Sequence, residues 1–281
     1  MRISITAMIT DTSIRPDEFA RAIEDLGFDG LYVPEHTHIP VSRATPAPMG
    51  EPLPDNYRRL YDPFVALTAA AMATSRIALG TGVCLVAERD PITTAKSVAS
   101  LDHLSGGRFR FGVGFGWNRE EMEDHGVAFG RRRAVTRERV LLMRSLWDDE
   151  VGSFSGAHAS VSPSAVWPKP TGHVPVWLGG RLGPKFLAAL VDYCDGWIPM
   201  GGSGLSTTIP QVHAALENAG RDPSTFDIIP FGSVPTPGKL EYFASLGVTE
   251  VVCNVADPSR DSALRFLDDA RAAVENADVE G

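Results

Sequence analysis

Short β-rich runs alternate with helical patterns along nearly the whole chain, and this alternation restricts the fold more than any single motif. The runs lie at 3–8, 30–34, 77–82, 109–114, 174–178, 196–199, 227–230 and 250–254. Helical patterns at 63–73, 91–104, 131–148, 183–190, 207–220, 239–246 and 259–277 separate most of them. The first helix, from Pro16, shows the logic. Proline suits the first turn, Asp17 and Glu18 complement its positive end, and Phe19, Ile23 and Leu26 make one apolar stripe. In the last helix Ala263, Phe266, Ala270 and Val274 form the stripe. Helix-to-strand turns at 26–30, 193–196 and 246–250 resemble one another, with glycine placed to end a helix. Such β–α units in a chain of 281 residues predict a parallel (β/α)8 TIM barrel, with 1–281 as one domain. An open doubly wound sheet is the runner-up. It calls for a G-x-G-x-x-G turn after the first strand, and residues 8–16 have none.

Two stretches break the rhythm. Residues 37–60 follow the second strand and carry Pro40, Pro46, Pro48, Pro52 and Pro54, so they form neither helix nor central strand. On a barrel this insertion lies over the mouth, as a lid or substrate wall, with a disordered or packing excursion as the bland reading. Residues 151–172, before the fifth strand, are rich in Ser, Gly and Pro and start on the opposite, stability face. They suit a hairpin and receive no chemistry.

Bulk properties exclude several classes. A net charge of −9 argues against a nucleic-acid surface, and the longest apolar run, 64–73, is too short to span a bilayer. The first ten residues have one basic residue and no sustained apolar run, unlike a signal peptide. Cys84, Cys194 and Cys253 form no C-x-x-C pair, which suits a reduced cytoplasmic protein with small buried cysteines.

Chemistry on such a barrel belongs at the carboxyl ends of the strands. Those ends supply Glu35, His36 and His38, then Gly82, Val83 and Cys84, then Gly114, Phe115, Gly116, Trp117 and Asn118. Farther on come Gly179, Gly180 and Arg181, Gly201, Gly202 and Ser203, Gly232 and Ser233, and Asn254. Glycine dominates and paired acids are absent, so the rim suits a large flat ligand lying against backbone. Gly179-Gly180-Arg181 before a helix start suits a phosphate. A simple β–α turn with a surface arginine is the bland alternative. His36 and His38 lack a third ligand at any strand end, so no metal site is assigned. His36 fits a proton-transfer group or a hydrogen-bonding structural histidine.

These residues resemble a known family. L-G-T-G-V from Leu79, R-D-P from Arg89 and L-D-x-L-S-G-G-R-F-x-F-G-V-G-F-G-W-N-x-E-E from Leu101 are similar to the luciferase-like monooxygenase superfamily. Its branch that uses the deazaflavin coenzyme F420 matches best. P-E-H from Pro34, P-K-P from Pro168, P-V-W-L-G-G from Pro175 and C-D-G-W-I-P from Cys194 fit the same family. The resemblance implies a TIM barrel with F420, or alternatively FMN, at its C-terminal face. It implies a non-proline cis peptide at Gly82–Val83 that backs the ring, with Leu85, Phe115, Gly116 and Asn118 lining it and Gly179, Gly180 and Arg181 taking the phosphate. His36 matches the proton-transfer histidine. Glu35 matches an acid that orients His36 or the ring. Trp117 and His38 fall on the substrate side. Related sugar-phosphate dehydrogenases keep a catalytic glutamate where this chain has Trp117, which points instead to an apolar or aromatic substrate.

The implied activity is hydride transfer between C5 of F420 and a small organic substrate. A reduced-FMN monooxygenase that uses oxygen is the alternative, and a non-catalytic flavin-binding barrel is a reading of another class. Family members are often homodimers.

Overall fold

The computed structural model describes residues 1–277. The expected domain, 1–281, ends four residues later, and 278–281 lie outside the described residues.

The eight β-rich runs become one curled parallel sheet. Its strands are β1 (Arg2–Ala7), β2 (Gly30–Val33), β3 (Ala78–Thr81), β4 (Phe109–Gly114), β7 (Val176–Gly179), β8 (Gly196–Ile198), β9 (Asp227–Ile228), β10 (Phe231–Ser233) and β11 (Glu250–Val255). A separate antiparallel hairpin, β5 (Gly152–Ser155) and β6 (Ser160–Ser164), accounts for the numbering gap and for the insertion at 151–172. The large sheet runs β10-β11-β1-β2-β3-β4-β7-β8-β9, which is chain order around a ring. One expected strand, 227–230, is cut short: β9 keeps only Asp227–Ile228, and after Pro230 the chain starts β10 at the other end of the sheet. Proline has no N–H to continue the ladder. Its carbonyl accepts from Val252 N at 2.9 Å on one side, while Phe231 N donates to Pro199 O at 2.8 Å on the other. The sheet therefore closes into the barrel.

Helices wrap the outside. They are α1 (Pro16–Asp25), α2 (Pro63–Ala73), α3 (Pro91–Ser105), α4 (Arg119–Asp124), α5 (Arg132–Asp148), α6 (Pro184–Tyr193), α7 (Leu205–Asn218), α8 (Pro237–Ser245) and α9 (Arg260–Glu275). Their starts follow local chemistry. Asp62 caps α2 by accepting from Phe64 N and Val65 N, at 2.9 and 3.1 Å, and Asp90 caps α3 through Thr93 N at 2.7 Å. The turns at Gly27 and Gly247 use left-handed glycines, as their sequences suggest. The third similar turn does not: α6 ends at an extended Cys194, and Gly196 already opens β8.

The core has two layers. Apolar faces of the helices pack on the outside of the sheet. Inside the barrel, Tyr32, Trp177, Ile198, Ile229, Phe231 and Val252 fill the lumen, with Val83 packed against them. Cys84, Cys194 and Cys253 are free and buried, as expected. Among the described residues, no helix is long and apolar enough to cross a membrane.

Candidate active site at the barrel mouth

The floor of the mouth forms where β3 leaves the sheet. Gly82 N donates to Val33 O at 2.8 Å, and Cys84 N returns to Gly112 O at 2.8 Å. Val83, between these bonds, is looped out, and the Gly82–Val83 peptide is cis, as the family resemblance implied. Val83 projects over the lumen cluster and is half-buried. Its two methyls are seated on glycines. A Cβ on Gly179 would stand 2.7 Å from Val83 Cγ1, and one on Gly114 would collide with Cγ2. The sheet has given up two side chains so that one apolar platform can sit at the centre of the mouth.

Glu35 and His36 follow β2 and diverge. Glu35, 3% exposed, accepts from Leu85 N at 2.7 Å and pairs with Arg89, which also pairs with Asp62. It ties β2 to the loop after β3. The role of orienting His36 belongs to Glu121. Glu121 Oε2 lies 2.6 Å from His36 Nδ1, and Oε1 accepts from Thr37 N at 3.0 Å. Trp117 Nε1 donates to His36 Nε2 at 3.2 Å. An indole can only donate, so Nε2 presents its lone pair and the ring proton sits on Nδ1, donated to Glu121. These partners fix the neutral tautomer protonated at Nδ1.

Glu121 is not announced by the sequence around His36. The family pattern implies an acid at position 117, where this chain has Trp117. The acid instead comes four residues later, on α4, a helix too short to show an apolar stripe. Only the Glu120–Glu121 pair following a strand end signalled it.

The insertion at 37–60 forms a wall over these groups. Tyr57 and Trp117 flank His36, with ring centroids 5.3 and 5.6 Å away. Arg43 lies 5.6 Å from the Trp117 ring centre and forms a forked pair with Glu51 at 2.9 and 3.0 Å. Glu120 accepts from Ala44 N and Thr45 N at 2.8 and 3.1 Å. The Arg43 guanidinium pushes Glu51 down to about 2, and hydrogen bonds from the Thr45 segment do the same to Glu120. Glu120 therefore pins the wall to α4, and Glu51 braces it from within.

His38 belongs to a different cluster. It lies 3.0 Å from Asp124 Oδ2 and 3.1 Å from the Thr37 hydroxyl, which also contacts His125 Nε2 at 2.7 Å. Burial, then His38, lowers the pKa of His125. His38 is thus at the outer edge of the wall rather than beside His36.

Several expected lining residues are covered. Leu85 and Asn118 are buried, and the Phe115 ring packs edge-on against Phe186, 6.1 Å away, beneath the Arg133 guanidinium. Gly180 N donates to Ile198 O at 3.1 Å and its carbonyl accepts from Trp197 Nε1 at 2.8 Å, so its N–H is already used. Arg181 is exposed, just before the start of α6, where Gly183 caps without a side chain. Gly179 serves the floor instead.

Comparison with known proteins agrees with this architecture. A model described as luciferase-like monooxygenase matches residues 14–236. An uncharacterised protein of Mycobacterium tuberculosis (strain ATCC 25618 / H37Rv) is 42% identical over 273 residues, covering 95% of this chain and 96% of its own. Among solved structures, the monooxygenase RslO1 from Streptomyces bottropensis superposes with a TM-score of 0.79 at 17% identity, over 98% of this chain and 99% of its own. An F420-dependent secondary alcohol dehydrogenase in complex with an F420-acetone adduct does so with a TM-score of 0.75 at 19% identity, over 100% and 99%. At these identities the two structures speak to the fold.

Proposed function

The chain belongs to the luciferase-like monooxygenase family, and we propose that within it the protein is an F420-dependent oxidoreductase acting on a small organic substrate. The observation that carries this reading is a polarised histidine and an apolar floor that follow the carboxyl ends of adjacent strands, β2 and β3. The floor fits a planar ring: Val83 offers a methyl surface where Gly114 and Gly179 leave no side chain to obstruct it. Gly82, Val83 and the neighbouring backbone would hold the ring, with Arg181 and the first turn of α6 near its phosphate. F420 bound there would supply a hydride acceptor or donor at C5.

The protein's own groups handle the proton. In oxidation, a substrate hydroxyl gives its proton to His36 Nε2 once the Trp117 indole gives way to substrate. In reduction the same nitrogen returns a proton to the carbonyl oxygen. Glu121 keeps the ring oriented and stabilises the imidazolium while both nitrogens carry protons. Trp117 and Tyr57 supply an apolar wall, and Arg43 is already neutralised by Glu51, which favours an uncharged substrate. Buried free cysteines suit a reducing cytoplasm, and exposed Val65 and Met72 on α2 suit contact with a second copy of the chain.

Similarity to a monooxygenase favours a second reading, reduced FMN with oxygen on the same floor. The two readings diverge at His36. Under the first, His36→Ala lowers turnover by about 10² to 10⁴ while cofactor affinity changes little. Unchanged turnover would remove His36 from the chemistry.

A further inference from the structure

Behind the wall, three acids converge and only two have partners. Glu88 ends the 3-10 turn Val86–Glu88 that follows β3. It is 6% exposed, and both carboxyl oxygens are buried without a hydrogen-bond partner. The charged groups facing it are Glu121 from α4, Glu35 from the end of β2 and its neighbour Arg89. Arg89 is already shared between Glu35 and Asp62. From α5, Arg139 reaches the same turn, but its Nη1 is used by the carbonyls of Val86, Ala87 and Arg89 at 3.1, 2.8 and 2.7 Å. The remaining side is the backbone of Gly116 and the thioether of Met122. A Cβ on Gly116 would stand 3.1 Å from Glu88 Oε1 and 2.9 Å from Met122 Cε. Neither donates to Glu88. A carboxylate stripped of water, beside two others, is disfavoured there, whereas a protonated carboxyl is tolerated.

We propose that Glu88 is a neutral carboxylic acid in the native protein and a positioning residue for the His36–Glu121 pair. While it stays uncharged, Glu121 alone governs the proton on His36 Nδ1. When Glu88 ionises, a second negative charge beside Glu121 favours the imidazolium and draws His36 away from its neutral tautomer. Burial, with Glu121 and Glu35 nearby, moves the Glu88 pKa up to about 9, so the change falls on the alkaline side.

The role for the pair rests on reading His36 as the proton-transfer group, but its test needs neither cofactor nor substrate. Infrared difference spectra of the full-length protein between pH 7 and pH 10 should show loss of a protonated-carboxyl C=O band in the wild type. That band should be missing from Glu88→Gln. In parallel, the His36 Cε1–H resonance should show an inflection near pH 9 in the wild type and none in Glu88→Gln. If Glu88→Gln does not fold, the wild-type band and inflection, required to share one midpoint, carry the test. A missing band, a band that survives in Glu88→Gln, or an inflection that survives there would overturn the proposal. Failure of hydride transfer with intact spectra would count against the proposed function alone.

Discussion

Glu121→Gln tests the His36 tautomer directly, because the substitution keeps shape and removes charge. Glu121 is fully buried, with His36 Nδ1 at 2.6 Å on one oxygen and Thr37 N at 3.0 Å on the other. Both neighbours donate to it. A glutamine has one accepting oxygen and one donating nitrogen, so one neighbour must face a donor. If the amide nitrogen faces His36, the ring proton moves to Nε2, where the Trp117 indole N–H stands at 3.2 Å. If it faces Thr37, a backbone N–H is left unpaired. Either arrangement loses a charge-assisted hydrogen bond, about 1.5–3 kcal/mol, and leaves a buried donor unsatisfied, about 1–3 kcal/mol. The sum, about 2.5–6 kcal/mol, is a large part of a typical stability of about 5–15 kcal/mol. Denaturant unfolding reads that loss, and ¹⁵N shifts of His36 report whether the proton has left Nδ1. Turnover should fall by about 10² or more, since base orientation is lost with the charge. A variant with wild-type stability and an unchanged tautomer would refute this account of the pair.

Other outcomes follow from the same geometry. Gly179→Ala places a methyl 2.7 Å from Val83 Cγ1, so the floor must shift. Overpacking costs about 1–3 kcal/mol of stability, and cofactor affinity measured by fluorescence titration should weaken at least about tenfold; wild-type affinity would show that the floor carries no ring. Glu88 gives stability a pH slope. Its folded pKa, about 9, lies above its ordinary value of 4.5, so between those limits the native state holds a proton that the unfolded chain loses. Stability should therefore fall as pH rises, by up to about 1.4 kcal/mol per unit. Unfolding curves at pH 5, 6, 7 and 8 check this, and Glu88→Gln should remove that part of the slope.

Much of this fold was readable because barrels are built from local signals. Apolar strand runs, Pro16, Pro63 and Pro91 at helix starts, and aspartate caps each announce an element within a few residues. The cis step at Gly82–Val83 follows from the family resemblance, whereas the break before Pro230 departs from the single strand expected at 227–230. The active-site partnerships were less readable because they join distant residues. Nothing near His36 shows that its partner is Glu121 rather than adjacent Glu35, since Glu121 comes from α4, 85 residues farther along the chain. Likewise Gly180 lies in a plausible anion loop, yet its N–H is taken by Ile198 once β7 and β8 pair. The anchoring of the proline-rich wall depends on Glu51 and Glu120 meeting partners that only the folded chain supplies.

The central claim concerns which ring the floor accepts, and a paired equilibrium titration with F420 and FMN addresses it most directly. F420 should bind one to one, at least about tenfold more tightly than FMN, with the binding weakened in Gly179→Ala. Tight FMN binding with no measurable binding of F420 would contradict the account and leave the monooxygenase reading in its place.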